Sequence, residues 1–391
     1  MMNGMIKERS KNMRILHTAD WHLGKIVNEF SMLDLQKEYL EQMLQQVKEH
    51  EVDALIMAGD LYDRALPPKE AVALANDVFT ELTQTLEVPV FVIAGNHDSN
   101  ERIEYGSQLF AHTQLFIEGT TKAKIRKVHL EGVNFYLLPY DDHRHIKQVL
   151  NKETITHPED ALREQLATIE EDWNAEEVNV LLFHGFVIHT SAEEIEESDS
   201  ERPLSIGTVE YIPAEVIEHF DYVALGHLHK AQRVKSEHIR YSGSPIKYSK
   251  SEANHRKQNL LIDISKGNLE VTPLAITPSK DLRVIRGRFE DIVKNTSKDY
   301  VFFELEDETY VLDAMNKLRQ RFPNAMGLEY LNHKIHNKLE THHTKENIQS
   351  DNLDDLFGEF YEQNIGMPLN EKQVDAVVET LDRVTTKEEN Q

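Results

Sequence analysis

The chain has 391 residues, no cysteine and a formal net charge of −25 at pH 7. Its length exceeds the roughly 250 to 300 residues that one hydrophobic core sustains, so two or three domains are expected. Without cysteine there can be no disulfide, thiolate metal site or cysteine nucleophile, and any metal must be held by nitrogen and oxygen.

The leader MMNGMIKERSKN (1–12) has charge but no apolar core of signal-peptide length, and nothing after it approaches the roughly 18 apolar residues of a membrane span. The expectation is a cytoplasmic protein with no membrane partner, its first twelve residues disordered. The acidity is segregated: residues 151–200 hold 14 Asp and Glu against two Lys and Arg, and residues 341–391 hold 12 against four. Both blocks read as solvated helix faces and loops. The remaining surface is left near neutral, which keeps a polyanionic partner in play.

The first element is RILHTADWHLG (14–24), an apolar run ending in Asp20 and His22. If extended geometry persists, those two side chains project the same way. Leu35, Leu40, Met43, Leu44 and Val47 recur at helical spacing within 31–51 and predict an amphipathic helix. VDALIMAGD (52–60) reads as the next strand, and Pro67 and Pro68 lead into a helix from Lys69. VPVFVIAGNHD (88–98), VNVLLFHG (178–185) and YVALGHLH (222–229) repeat the pattern of a short apolar run, a glycine and polar residues. Strands alternating with helices imply parallel pairing, in which ligands gather at the carboxyl ends of strands. Every one of these runs delivers Asp20, His22, Asp60, Asn96, His97, His184, His227 or His229 to such an end. Oxygen and imidazole donors in that number suffice for two adjacent divalent cations, one carboxylate bridging. A centre of that kind favours an anionic substrate, and phosphate esters are the obvious class.

Other polar residues read more simply. His17 is expected to be a packed core histidine, with His143 and His189 equally structural, and Lys25 is expected to be exposed. Asp63 either bonds the backbone of its own loop or acts in catalysis, and Ser242 to Pro245 form a turn. Beyond Thr277 the pattern is strand, strand, helix, strand, a small α+β unit. A polar linker then precedes two amphipathic segments, one carrying Leu353, Leu356, Phe357, Phe360 and Tyr361, the other Val374, Val377, Val378 and Leu381 behind an N-cap at Asn370. The chain has no GxxxxGK[ST] motif, so it is expected to bind no nucleotide.

DWH at 20–22, GDLYD at 59–63, GNHD at 95–98, FHG at 183–185 and GHLH at 226–229, complete and in this order, resemble the calcineurin-like metallophosphoesterases. HTADWHLGK, GDLYDRALPPKEA and YSGSPIKYS resemble their SbcD branch, the bacterial nuclease subunits. The resemblance implies an α/β fold: a β-sandwich flanked by helices over 13–277, a capping domain over 278–336 that helps grip DNA, a linker over 337–350, and a helical hairpin over 351–391. That hairpin would dock on the coiled coil of an SbcC-type ATPase, in a homodimer within a heterotetramer. It further implies that Asp20, His22 and His229 hold one metal, that Asn96, His184 and His227 hold the other, and that Asp60 bridges. His97 would stabilise the transition state or protonate the departing oxygen, with Asp98 orienting its ring. Manganese is the implied metal, although the ligand set alone admits iron, zinc or cobalt. The implied activity is exonuclease action on duplex ends and endonuclease action at hairpins, in DNA repair, recombination and replication. Archaeal relatives carry a histidine where this chain has Asp63, so no DNA-melting role passes to that position. A phosphoesterase acting on small molecules or phosphoproteins would share the metal residues yet need neither cap nor hairpin; a noncatalytic scaffold is disfavoured by the complete ligand set.

Overall fold

The computed structural model describes residues 12–189, 196–201 and 211–331, together with 358, 361, 367–370, 373–374 and 376–378. The leader and most of the expected C-terminal hairpin lie outside the described residues. The chain divides into two compact units between Arg283 and Val284.

In the first unit the predicted strand and helix alternation is observed. Met13–Thr18 (β1), Leu33–Glu49 (α1), Ala54–Ala58 (β2), Lys69–Thr80 (α2), Val90–Ile93 (β3) and Leu115–Glu118 (β4) follow one another, and the four strands pair in parallel. The chain then builds a second sheet from Arg126–Leu130 (β5), Val133–Leu138 (β6), Val178–His184 (β7), Tyr222–Gly226 (β8), Gln232–Arg233 (β9) and Ile239–Tyr241 (β10). Its order is β9-β10-β8-β7-β6-β5, with the four middle strands parallel and both edges antiparallel. Gln258–Ser265 (β11) and Asn268–Ala275 (β12) return to the first sheet, β11 pairing antiparallel with β1, to give the order β12-β11-β1-β2-β3-β4.

The two sheets make the sandwich that the resemblance implies. Ile15, Ile56, Phe91 and Ile93 from the first meet Phe135, Leu137, Val180, Leu182, Tyr222 and Ala224 from the second. Phe91 stacks on Phe135 with ring centroids 4.0 Å apart. Alternate residues of the second sheet, including Tyr136, Leu138, Leu181, Phe183, Val223 and Leu225, join another cluster with Leu162 and Leu166 of Pro158–Ala167 (α3). Burial on both faces is why these strands read as continuous apolar runs instead of alternating ones.

Glycine sets how closely the sheets approach. A Cβ at Gly226, the last residue of β8, would overlap the carbonyl oxygen of Ala58, the last residue of β2. Gly59, at φ +93°, faces the His184 ring so tightly that a Cβ there would overlap Nδ1. Farther in, His17 of β1 is fully buried and its Nδ1 lies 2.9 Å from the Tyr222 hydroxyl of β8, the core role expected of it. Burial pushes its pKa down to about 3.

The second unit begins within Leu282–Gly287 (β13), which shares one sheet with Tyr300–Leu305 (β14) and Ala325–Tyr330 (β15), β14 and β15 parallel, and it includes the helix Ala314–Arg319 (α4). Val301, Phe303 and Leu305 pack with Leu318, Phe322 and Ala325. Near the C terminus, Asn370 Oδ1 accepts from the Gln373 N–H at 3.1 Å while Gln373 Oε1 accepts from the Asn370 N–H at 3.0 Å. This reciprocal pair is a capping box at the expected N-cap.

Two outcomes test this account of the sandwich. Gly226→Ala should lose about 1–3 kcal/mol, the usual cost of forcing extra volume into a packed core, read as a lower urea midpoint at unchanged m; a wild-type midpoint would contradict the close approach. The unfolded His17 imidazole, at 6.5, takes up a proton that the folded one refuses, so the stability present above pH 6.5 is lost as pH falls towards 3. The loss is about 1.4 kcal/mol per pH unit, and His17→Gln should flatten the dependence of unfolding free energy on pH between 6 and 4 by close to one proton.

Candidate metal centre

The site lies where β1, β2, β3, β7 and β8 end. Extended geometry does not persist past β1: it stops at Thr18, and Asp20 (φ +54°) and His22 (φ +45°) are left-handed. Their convergence therefore arises from turns and not from strand alternation, a correction to the sequence reading. Asp60 (φ +56°) and His227 (φ +113°) share the unusual backbone. Such residues cost on the order of 1–3 kcal/mol each and persist only where the surroundings over-determine them.

Hydrogen bonds supply that determination. The N–H groups of Asp20, His22 and Leu23 donate to the carbonyls of Gly59, Asp60 and Leu61 at 3.0, 3.0 and 2.9 Å, zipping the loop after β1 to the loop after β2. Gln36, buried on α1, accepts from the Gly24 N–H at 2.9 Å and donates to the His22 carbonyl at 2.7 Å. His227 N–H donates to Asp20 Oδ1 at 2.9 Å, tying the second sheet to the first.

The donor atoms converge as follows. Asp60 Oδ2 lies 3.6 Å from His22 Nε2 and 3.5 Å from His184 Nε2. His22 Nε2 lies 3.0 Å from His229 Nε2, and Asp20 completes a triad with them whose donor atoms all fall within 4.8 Å. Asp20, Asp60 and His184 form a second such triad. Asn96 Oδ1 lies 2.9 Å from His184 Nε2 and 3.3 Å from His227 Nδ1. His97 also comes close, forming a triad with His22 and Asp60. Asp20, His22, Asp60, His184, His227 and His229 are buried, whereas Asn96 and His97 are half-buried.

The electrostatics favour cations. Burial holds the His22, His184, His227 and His229 imidazoles below their usual pKa, which leaves ring lone pairs free to ligate. Burial, followed by repulsion from Asp60, pushes the Asp20 carboxyl well above its usual range. Asp20 Oδ2 and His22 Nδ1 are buried without a hydrogen-bond partner. Donor separations near 3 Å match neighbouring ligands on one ion at metal–ligand distances of about 2.1 Å. These residues fit a pair of divalent cations.

Supporting contacts depart from expectation in two places. Asp98 does not orient the His97 ring: its carboxylate accepts the backbone N–H groups of Leu61, Tyr62 and Gly95 at 3.1, 2.9 and 2.9 Å, and burial and Asp60 raise its pKa to about 7. The ring is held by the Asp63 carbonyl, 2.8 Å from Nδ1. Lys25 is not exposed either. Its side chain is only 13% accessible and its ammonium bonds the Asp63 carboxylate at 2.7 Å, so Asp63 does not spend its carboxylate on its own loop. His143 and His189 stay apart from the centre, each facing a surface carboxylate, Asp142 and Glu215. Gln36 was legible in principle, as a polar residue on the stripe Leu40, Met43 and Val47.

A family model for calcineurin-like phosphoesterases matches residues 13–231, more than half of the chain. The chain belongs to the calcineurin-like phosphoesterase family. It is thereby a metal-dependent phosphoesterase hydrolase, with a candidate two-metal site at Asp20, His22, Asp60, His184 and His229. A second model, SbcD_C, described as the type 5 capsule protein repressor C-terminal domain, matches residues 278–364, and together the two matches mark an SbcD-type calcineurin-like phosphoesterase. Among solved structures, a protein of Thermus thermophilus is 17% identical over 67% of this chain and 99% of its own, with a TM-score of 0.41. A dimetal phosphatase from Danio rerio is 12% identical over 67% of this chain and 96% of its own, with a TM-score of 0.43. Among the described residues, no helix is long and apolar enough to cross a membrane.

A buried cluster of this kind predicts linkage between cation and fold. Manganese at 100 times its dissociation constant should raise the unfolding free energy by about 2.7 kcal/mol, seen as a higher Tm that EDTA reverses; Tm values independent of manganese and of EDTA would contradict a built cation site.

Proposed function

We propose that this chain is the nuclease subunit of an SbcCD-type complex, cleaving DNA phosphodiesters with two divalent cations, manganese first among the candidates. The observation that carries the reading is Asp60 Oδ2 standing between His22 and His184, 3.6 and 3.5 Å from their ring nitrogens, as a bridging carboxylate would. Asp20, His22 and His229 would hold one cation, and Asn96, His184 and His227 would hold the other. When bound, such a pair supplies Lewis-acid neutralisation of charge developing on the phosphoryl oxygens.

The remaining chemistry falls to the protein. His97 donates its Nδ1–H to the Asp63 carbonyl, which leaves Nε2 facing the reaction; with a second proton on Nε2, as an imidazolium, the ring can pass that proton to the departing sugar oxygen and keep the one on Nδ1. Its backbone N–H donates to Asp60 Oδ1 at 2.8 Å, which ties the segment carrying the proton donor to the bridging carboxylate. Asp98 acts at one remove, fixing the loops that carry Asp60 and His97. The match to the SbcD_C model favours DNA as substrate over small phosphoesters, and supports residues 278–336 as a DNA-gripping cap and the C-terminal helices as the seat of a coiled-coil ATPase, in a cytoplasmic heterotetramer containing two copies of this chain.

The test is cleavage of linear duplex DNA, hairpin DNA and a generic phosphodiester with manganese, with and without the partner ATPase. DNA cleavage is expected, and His97→Ala should reduce turnover by about 10²- to 10⁴-fold with manganese binding intact. Hydrolysis of the small ester with no DNA cleavage under any condition would overturn the nuclease reading in favour of a small-molecule phosphoesterase.

A further inference from the structure

The two halves of the centre are steadied by different means. His184 is held by the backbone, its Nδ1 lying 2.9 Å from the Ala58 carbonyl at the tight seam between sheets. His229 is held by side chains from outside the metal motifs. Its Nδ1 lies 2.7 Å from Ser200 Oγ and 3.2 Å from Glu252 Oε1, and Ser200 Oγ in turn donates to Glu252 Oε1 at 2.5 Å. Glu252 Oε2 accepts from Lys257 Nζ at 2.5 Å, and the same ammonium donates to Ser244 Oγ at 2.7 Å and to the His229 carbonyl at 2.8 Å. Glu201 takes the His229 N–H at 2.6 Å. His229 is thus gripped at ring, carbonyl and amide, and its ring proton is committed to the Ser200 and Glu252 side.

Glu252 and Lys257 are a buried ion pair, with side chains 0% and 5% accessible. Such a pair contributes little net stability compared with apolar residues of the same volume. What it supplies here is direction: with Nδ1 occupied, the Nε2 lone pair of His229 faces His22 Nε2 at 3.0 Å. A carboxylate behind a ligating imidazole fixes its tautomer and raises its basicity.

We propose that Ser200 and Glu252, with Lys257 behind them, are positioning residues for His229, and that they set the affinity of the cation held with Asp20 and His22 without touching the cation at Asn96, His184 and His227. The proposal rests on the two-cation reading above. Its test is manganese titration of the full chain, followed by electron paramagnetic resonance, which separates a spin-coupled pair from a single ion. The variants are Glu252→Gln combined with Lys257→Met, which removes both buried charges together, Ser200→Ala, and Ser200→Thr.

Wild type should bind two ions as a coupled pair. The double variant should keep one at wild-type affinity and bind the other about 10- to 100-fold more weakly, losing the coupled signal at manganese concentrations that saturate wild type. Ser200→Ala should move the same way by a smaller factor, and Ser200→Thr, which keeps the hydroxyl, should restore the pair. A folded double variant with both affinities unchanged, or with both reduced alike, would overturn the proposal. If circular dichroism shows the double variant unfolded, Ser200→Ala decides: an unchanged coupled pair would overturn it. Failure of wild type itself to bind a pair would remove the two-cation reading, and this proposal with it.

Discussion

The contact on which the rest depends is the one between the ends of β2 and β8, where Ala58 presents its carbonyl and Gly226 presents no side chain at all. Two sheets packed face to face normally stand about 10 Å apart, with side chains filling the gap. Here the gap closes at one edge to backbone against backbone, and His184 spans it through Nδ1. Only at that edge can Asp60 from one sheet and His184 from the other share a donor position. The apolar core fixes the spacing elsewhere, and glycine allows the exception.

That edge also gathers like charge. Asp20 and Asp60 are buried beside each other, and burial first, then the Asp60 charge, pushes the Asp20 and Asp98 carboxyls above their usual range. Left-handed backbone at four of the motif residues adds strain. Both costs fall at the site, while the compensation is spread across the hydrogen bonds from Gln36, from the zipped loops and from the sandwich behind them. This is the distribution expected when a fold has been shaped around a ligand and not for its own stability.

Much of this was legible in the sequence. Strands buried on both faces betray themselves as apolar runs, and the metal-binding residues follow each run directly, so β1, β2, β3, β7 and β8 and their polar ends could be read in order. The direction of Asp20 and His22 was right for the wrong reason, since alternation is a property of strands and the chain had already left its strand. β11 and β12 went unread because they carry none of the motifs, and β11, which joins the pair to the sheet, bonds a strand more than two hundred residues earlier. Lys25 and Asp63 misled in the same way: an ion pair between residues 38 apart leaves no local trace. The partners of His229 were invisible for the further reason that Ser200, Glu252 and Lys257 have meaning only once the fold has brought them behind the ring.

The return of β11 to β1 has a consequence for the order of assembly. β1 is the first of the described strands, yet one of its two neighbours consists of residues 258–265, and the second sheet comes between them in sequence. A chain emerging from the ribosome can form β1, α1, β2, α2 and β3 early, but that half-sheet lacks both its antiparallel partner and the opposite face of its core. Closing so long a loop is slow relative to local contacts. The growing chain therefore carries an open strand edge and bare apolar surface through most of the synthesis of its first unit, and the metal-binding histidines of β7 and β8 gain their geometry only near the end.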